Sequence, residues 1–157
     1  MSWFDDIFSA IESDLNNCFG SIENECIKSI DKVKDDGNNS IRELENSYSS
    51  GINSAKNELN SIKNRITDKH RQIKGKTEQK ITEFRSKMRR EKDTKELTQI
   101  NKKIREYETK LYELPRTRIF LLNKATKKYE GIIQKLKQKR NLKYGQIERA
   151  KKKKKGW

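Results

Sequence analysis

Apolar residues recur at steps of four, three and four from Phe4 onward. The series runs Phe4, Phe8, Ile11, Leu15, Phe19, Ile22, Cys26, Ile30, Val33 and, beyond Gly37, Ile41, Leu44, Tyr48, Ile52, Ala55, Leu59, Ile62, Ile66, Ile73, Ile81, Phe84 and Met88. Between Lys28 and Arg90 no aliphatic or aromatic residue lies off it. Such spacing collects side chains on one face of a helix, so the pattern predicts one very long amphipathic helix, or two in register. Positions 4, 15, 26, 37, 48, 59, 70 and 81 form an eleven-residue repeat, as do 11, 22, 33, 44, 55, 66, 77 and 88. Eleven residues in three turns is about 3.67 per turn, which keeps the stripe on one face with at most a mild right-handed drift. The stripe is narrow, and one helix cannot bury it alone. Either the chain folds back on itself or other copies supply the partner.

Asp35-Asp36-Gly37-Asn38-Asn39-Ser40 is the clearest interruption, because Gly and Asn tolerate the conformation that ends helices. Ser40-Ile41-Arg42-Glu43 has the spacing of a capping box, and a kink or short turn is expected there. Gly75 marks a second weak point. The register stops after Met88, and Asp93 with Glu96 can cap a new helix. Leu97, Ile100, Ile104, Tyr107, Leu111 and Leu114 then follow three–four steps, a heptad stripe. Pro115 lacks an N–H and disfavours helix at the residue before it, so the sequence predicts a helical hairpin turning at Pro115. Its second arm carries Phe120, Leu121, Leu122, Ala125, Tyr129, Ile132, Ile133 and Leu136. Five segments follow: an acidic helix over 1–36, a long helix over 40–92, a heptad helix over 93–114, a basic helix over 115–150 and a basic tail over 151–157.

The fold class expected is all-α, with long amphipathic helices in an extended rod or coiled-coil-like bundle and a C-terminal helical hairpin. Composition sharpens this: 39% of residues are charged and only 31% hydrophobic, with one proline. That balance borders on the disordered class, from which the strict periodicity rescues the chain. Strand signals are absent. The residues expected to face another helix are Phe4, Phe8, Ile11, Leu15, Ile41, Leu44, Ile52, Leu59, Ile62, Ile66, Leu97, Ile100, Ile104 and Leu111.

Charge is the second strong signal. The formal net charge is +15, yet residues 1–50 hold 11 acidic and 4 basic side chains, a net of −7, and residues 51–157 hold 12 acidic and 34 basic, a net of +22. From Arg116 onward there are 16 basic and 2 acidic residues. The lysine run 151–155 should fray or stay disordered alone. Lys124, Lys127, Lys128, Lys135, Lys137, Lys139, Arg140, Lys143, Lys151, Lys152, Lys153, Lys154 and Lys155 are the residues expected to meet a polyanion. Cys18 and Cys26 lie about 12 Å apart along a helix, too far for an intrachain bridge, and read as small buried apolar residues. No run reaches the eighteen or so apolar residues of a membrane span, and the acidic N-terminus is unlike a secretory signal. The expected location is intracellular or in a virion.

Catalytic signals are missing: no nucleophile–base constellation, no metal-ligand spacing and no glycine-rich phosphate loop. Gly75-Lys76-Thr77 lacks the upstream glycine and the preceding strand of such a loop. His70, the single histidine, sits on the stripe with no ligand cluster beside it. The expectation is a non-enzyme with no cofactor and no small-molecule substrate. Three readings remain. The first is a self-associating structural protein, a homo-oligomer that binds nucleic acid, DNA or RNA, without sequence preference. The second is a filament or scaffold subunit whose acidic half docks on a neighbour's basic half. The third is a peripheral membrane protein using residues 3–19. The charge balance favours the first, because −7 neutralises only part of +22. The Lys/Asn/Ile/Ser-rich, proline-poor composition is similar to that of virion structural proteins.

Overall fold

A computed structural model describes the backbone of residues 2–155 and the side chains of residues 6–154. Among the described residues it is all-α, with α1 over Ser2–Asp31, α2 over Ser40–Arg90 and α3 over Thr94–Lys155. The side chains of Trp3, Phe4 and Lys155, and the residues Gly156 and Trp157, lie outside the described residues.

Each boundary has a local cause. The end of α1 tightens, with Val33 N–H donating to the Ile30 carbonyl (3.1 Å). Asn39 caps α2, because its carbonyl accepts the first helical bond from Glu43 N–H (2.9 Å). Ser40 therefore stands one residue inside the helix and does not act as the cap expected from its spacing. It is buried, and its hydroxyl is within reach of the Lys34 and Gly37 carbonyls, closing the turn from behind. At the second break the Glu91 carboxylate accepts from the N–H groups of Lys92 and Asp93, both at 3.1 Å. Asp93 then caps α3 as its sequence context suggests, accepting from Lys95 N–H at 3.0 Å while its carbonyl takes Leu97 N–H. Helix α2 runs unbroken through Gly75, where Ile73 and Thr77 are buried on either side. A glycine in a helix interior costs about 1 kcal/mol, which burial of its neighbours exceeds.

The hairpin expected at Pro115 is not formed; α3 continues through the proline to Lys155. Pro115 has no N–H to give the Leu111 carbonyl, a loss of about 3 kcal/mol in a helix interior. The stripe nevertheless keeps its three–four phase through Leu111, Leu114, Arg118, Leu121 and Ala125, with Leu114, Leu121 and Ala125 buried. Full burial of a leucine contributes about 1.5–3 kcal/mol, so two in phase on either side outweigh the defect. Pro115 itself is exposed. The chain reverses at residues 91–93 instead. The lysine run, expected to fray, is helical as far as Lys155; Lys154 Nζ donates to the Asp36 carbonyl (2.7 Å) and ties that last turn down.

The contacts fall into two compact units, one of Met1–Phe8 with Lys63–Asn123 and the other of Ser9–Ile62 with Lys124–Trp157. In the first, the second half of α2 packs antiparallel on the first half of α3. Ile81, Ile100 and Ile104 are its buried cluster, bordered by Phe84, Met88, Tyr107 and Leu111. Phe84 and Tyr107 stack with ring centroids 5.7 Å apart, and Arg85 reaches Glu108 at 2.9 Å. In the second unit three helices meet. Cys26 of α1 lies against Gly51 of α2, which also faces Leu136 of α3. Ile11, Leu15, Phe19, Ile30, Leu44, Ala55, Leu59, Ile132 and Ile147 are among its buried residues. The chain thus provides partners for its own stripe.

Candidate polyanion-binding surface

The basic residues nominated from sequence divide into two sets. One set is engaged with the acidic N-terminal segment. Lys124 pairs with Glu12, Lys135 with Glu23 (3.5 Å), Lys139 with Asp31 (2.7 Å), Lys143 with Asp35 (2.7 Å) and Lys154 with Asp36 (3.8 Å). Arg140 approaches Glu45 of α2 (4.0 Å) and lies over the Tyr48 ring, 4.4 Å from its centroid. Pair numbers rise together along α1 and α3, so these two segments run parallel while α2 returns between them in sequence. Most of the pairs are solvent-accessible and contribute little each, about 0–1 kcal/mol. Lys143 differs, since only 11% of its side chain is exposed. Reaching a phosphate would require it to abandon Asp35.

The other set is open. Lys127, Lys128, Lys137, Lys152 and Lys153 are exposed, Lys151 is half-buried, and none of the six has a carboxylate within ion-pair distance among the described residues. Of the residues expected to face a helix, Phe8, Ile11, Leu15, Leu44, Leu59, Ile62, Ile66, Ile100 and Ile104 are buried. Ile41, Ile52, Leu97 and Leu111 are half-buried.

The first unit also carries excess cations, which are interspersed with acids along the sequence and so are less conspicuous than those after Arg116. Residues 63–123 carry 19 basic and 9 acidic side chains, a surplus of ten, and no acidic segment comparable with α1 is spent on them. A charge count over that window would have drawn notice to it. Which half of the C-terminal cations is engaged depends on the fold.

His70 occupies its stripe position half-buried, and burial first, then the Arg118 guanidinium and Lys74, pushes its pKa below the ordinary value. Neither Cys18 nor Cys26 is in a disulfide; Cys26 is buried, which pushes its pKa up. No group of metal-ligating side chains is found among the described residues, and no helix there is long and apolar enough to cross a membrane. Comparison with protein-family models, curated proteins and solved structures finds no match.

Proposed function

We propose that this chain is a non-enzymatic structural protein that associates through its helical stripes and binds a polyanion, foremost nucleic acid, by contacts to phosphate. The observation that carries the reading is the positive charge left over after internal pairing. Glu12, Glu23 and Asp31 of α1, with Asp35 and Asp36 just after it, are matched to α3 cations within the same chain, and the exposed lysines of 127–153 together with the surplus of residues 63–123 remain. Charge of that kind binds DNA or RNA by releasing condensed counterions, with little regard to sequence. A structural role in a virion is one setting for such a protein.

The same pairing bears on the other readings. Docking of an acidic half onto a neighbour's basic half needs free carboxylates, and Glu23, Asp31 and Asp35 are engaged in cis. Insertion of residues 3–19 into a lipid surface needs their apolar face, and Phe8, Ile11, Leu15 and Phe19 are buried inside the fold. Glu12 and Glu23 stand eleven residues apart, as do their partners Lys124 and Lys135, which supports coiled-coil-like packing on an eleven-residue stripe.

The test is a filter-binding titration with duplex DNA and RNA between low and physiological salt. Binding should weaken linearly in log–log form, and deleting residues 151–157 should make the slope shallower by up to about 0.9 per lost contact on duplex DNA. Affinity no stronger than that of a generic basic peptide would defeat the reading.

A further inference from the structure

One face of α3 in the first unit combines features that phosphate charge alone does not require. Helical spacing places Asn101, Lys102, Arg105, Tyr112 and Arg116 together, on the side away from buried Ile100, Ile104 and Leu114. A shallow trough of about 860 Å³ lies along this face, lined by Asn101, Lys102, Arg105 and Lys110 together with the carboxylate of Glu106, and every lining residue comes from α3. It is an open track, without the second wall a small-molecule site needs.

Lys110 on the track is paired, but three other cations of this face are not. The nearby carboxylates are taken: Glu106 by Lys103 (4.0 Å), Glu108 by Arg85 (2.9 Å) and Glu113 by Lys110 (4.0 Å). Lys102, Arg105 and Arg116 have no carboxylate within ion-pair distance among the described residues. Lys102 and Arg105, three residues apart on one helix face, repel one another, a small cost to the helix that an arriving phosphate would reverse.

Tyr112 is the second, independent feature. It is 69% exposed, although an aromatic ring in a chain so poor in apolar residues is valuable in a core. Arg116 holds it in place: the guanidinium sits 5.1 Å from the ring centroid and donates to the phenol oxygen at 3.2 Å. One side of the ring thus meets a cation, and the rest of the ring remains accessible. An exposed, pre-positioned ring among cations suits an unstacked base, because every base has a face that can stack and its backbone then lies against the positive charge. Bases inside a duplex are already stacked and offer no such face.

We infer that the α3 face from Lys102 to Arg116, about 21 Å long, is a binding site for single-stranded nucleic acid, with Tyr112 stacking on a base and Lys102, Arg105 and Arg116 holding phosphates. This rests on the polyanion reading and narrows it to a strand and a place.

The test measures fluorescence anisotropy of a labelled 20-nucleotide oligo-dT and of a 20-base-pair duplex with full-length protein. Tyr112→Ala should weaken oligo-dT binding by about 5- to 150-fold, the range for removing one base–aromatic stack, and leave duplex binding within twofold. Tyr112→Phe, which keeps the ring, should restore it. The double variant Lys102→Gln/Arg105→Gln should weaken oligo-dT binding and flatten its salt dependence by about 0.7 per lost contact. Unchanged circular dichroism and melting temperature are expected, since these side chains lie outside the core. If the protein binds both probes and Tyr112→Ala alters neither, or alters both equally, the stacking site is overturned and the polyanion reading stands. Binding of neither probe at low salt takes down both. Tighter binding to phosphatidylserine vesicles than to oligo-dT, lost in Tyr112→Ala, would make the face a lipid-binding surface and overturn the inference.

Discussion

Gly51 lies in the middle of α2, where a substitution to alanine would ordinarily stabilise a helix by about 1 kcal/mol. Here the opposite is expected. A Cβ at position 51 would overlap Cys26 Sγ, lie 2.9 Å from Cys26 Cβ and touch Leu136 Cδ1 at 3.5 Å. Carbon atoms in contact prefer about 3.5–4.0 Å, so α1 and α2 would have to separate by roughly 0.6–1 Å. Rotating the cysteine moves Sγ but not Cβ, which is fixed to the α1 backbone. Overpacking of this kind costs about 1–3 kcal/mol. With both atoms in conflict the cost belongs toward the upper end, and Gly51→Ala should be net destabilising by about 1–2 kcal/mol after the helix gain. Thermal unfolding by circular dichroism should show this as a fall of about 2–4 °C per kcal/mol for a chain of this size. The cause is isolated by a double-mutant cycle with Cys26→Ala, which removes Sγ and keeps Cβ. In that background Gly51→Ala should cost about 1 kcal/mol less than in the native chain. Additive effects, or a rise in melting temperature for Gly51→Ala alone, would refute the close approach of α1 and α2 at this point.

Other outcomes follow from the same geometry. Pro115→Ala should restore the bond to the Leu111 carbonyl at an exposed position and raise stability by up to about 3 kcal/mol, read as a higher melting temperature with unchanged helicity. His70 has its pKa lowered in the folded state, so below the ordinary histidine value of 6.5 the unfolded chain binds the proton more readily than the folded one. Stability should therefore fall as pH drops below 6.5 toward the lowered folded value and be insensitive to this group above it. His70→Gln should remove that part of the pH dependence between about pH 7 and 5, seen in urea titrations at each pH. Leu59→Lys and Ile62→Lys place an ammonium group at buried positions, and each should lose several kcal/mol unless its stem lets the charge reach water. Unchanged denaturation midpoints in both would show that this part of the stripe is not a core.

Much of the secondary structure is legible in the chain because helical periodicity is local. A stripe advancing about 100° per residue can be read from neighbours three and four positions apart, and so can the interruption at Gly37 and the cap at Asp93. Local rules also misled. Pro115 reads as a chain reversal from its own chemistry, and Ser40 as a cap from its spacing. In the structure, Leu114 and Leu121 carry the helix through the proline, and the Ser40 hydroxyl closes a turn to Lys34 and Gly37. The candidate site shows the same division. The surplus of cations is a matter of counting, but which of them are neutralised depends on residues about 110 positions apart, such as Glu12 with Lys124 and Glu23 with Lys135. Sequence alone therefore determined that this chain is helical, where its apolar face runs and that it carries a surplus of positive charge. Tertiary structure alone decided that α1 turns its carboxylates onto α3, that Gly51 makes room for Cys26, and that Tyr112 stands exposed beside Arg116. The physical reason is that a helix specifies a face but not its partner, and charge and shape act only between surfaces that packing has already brought together.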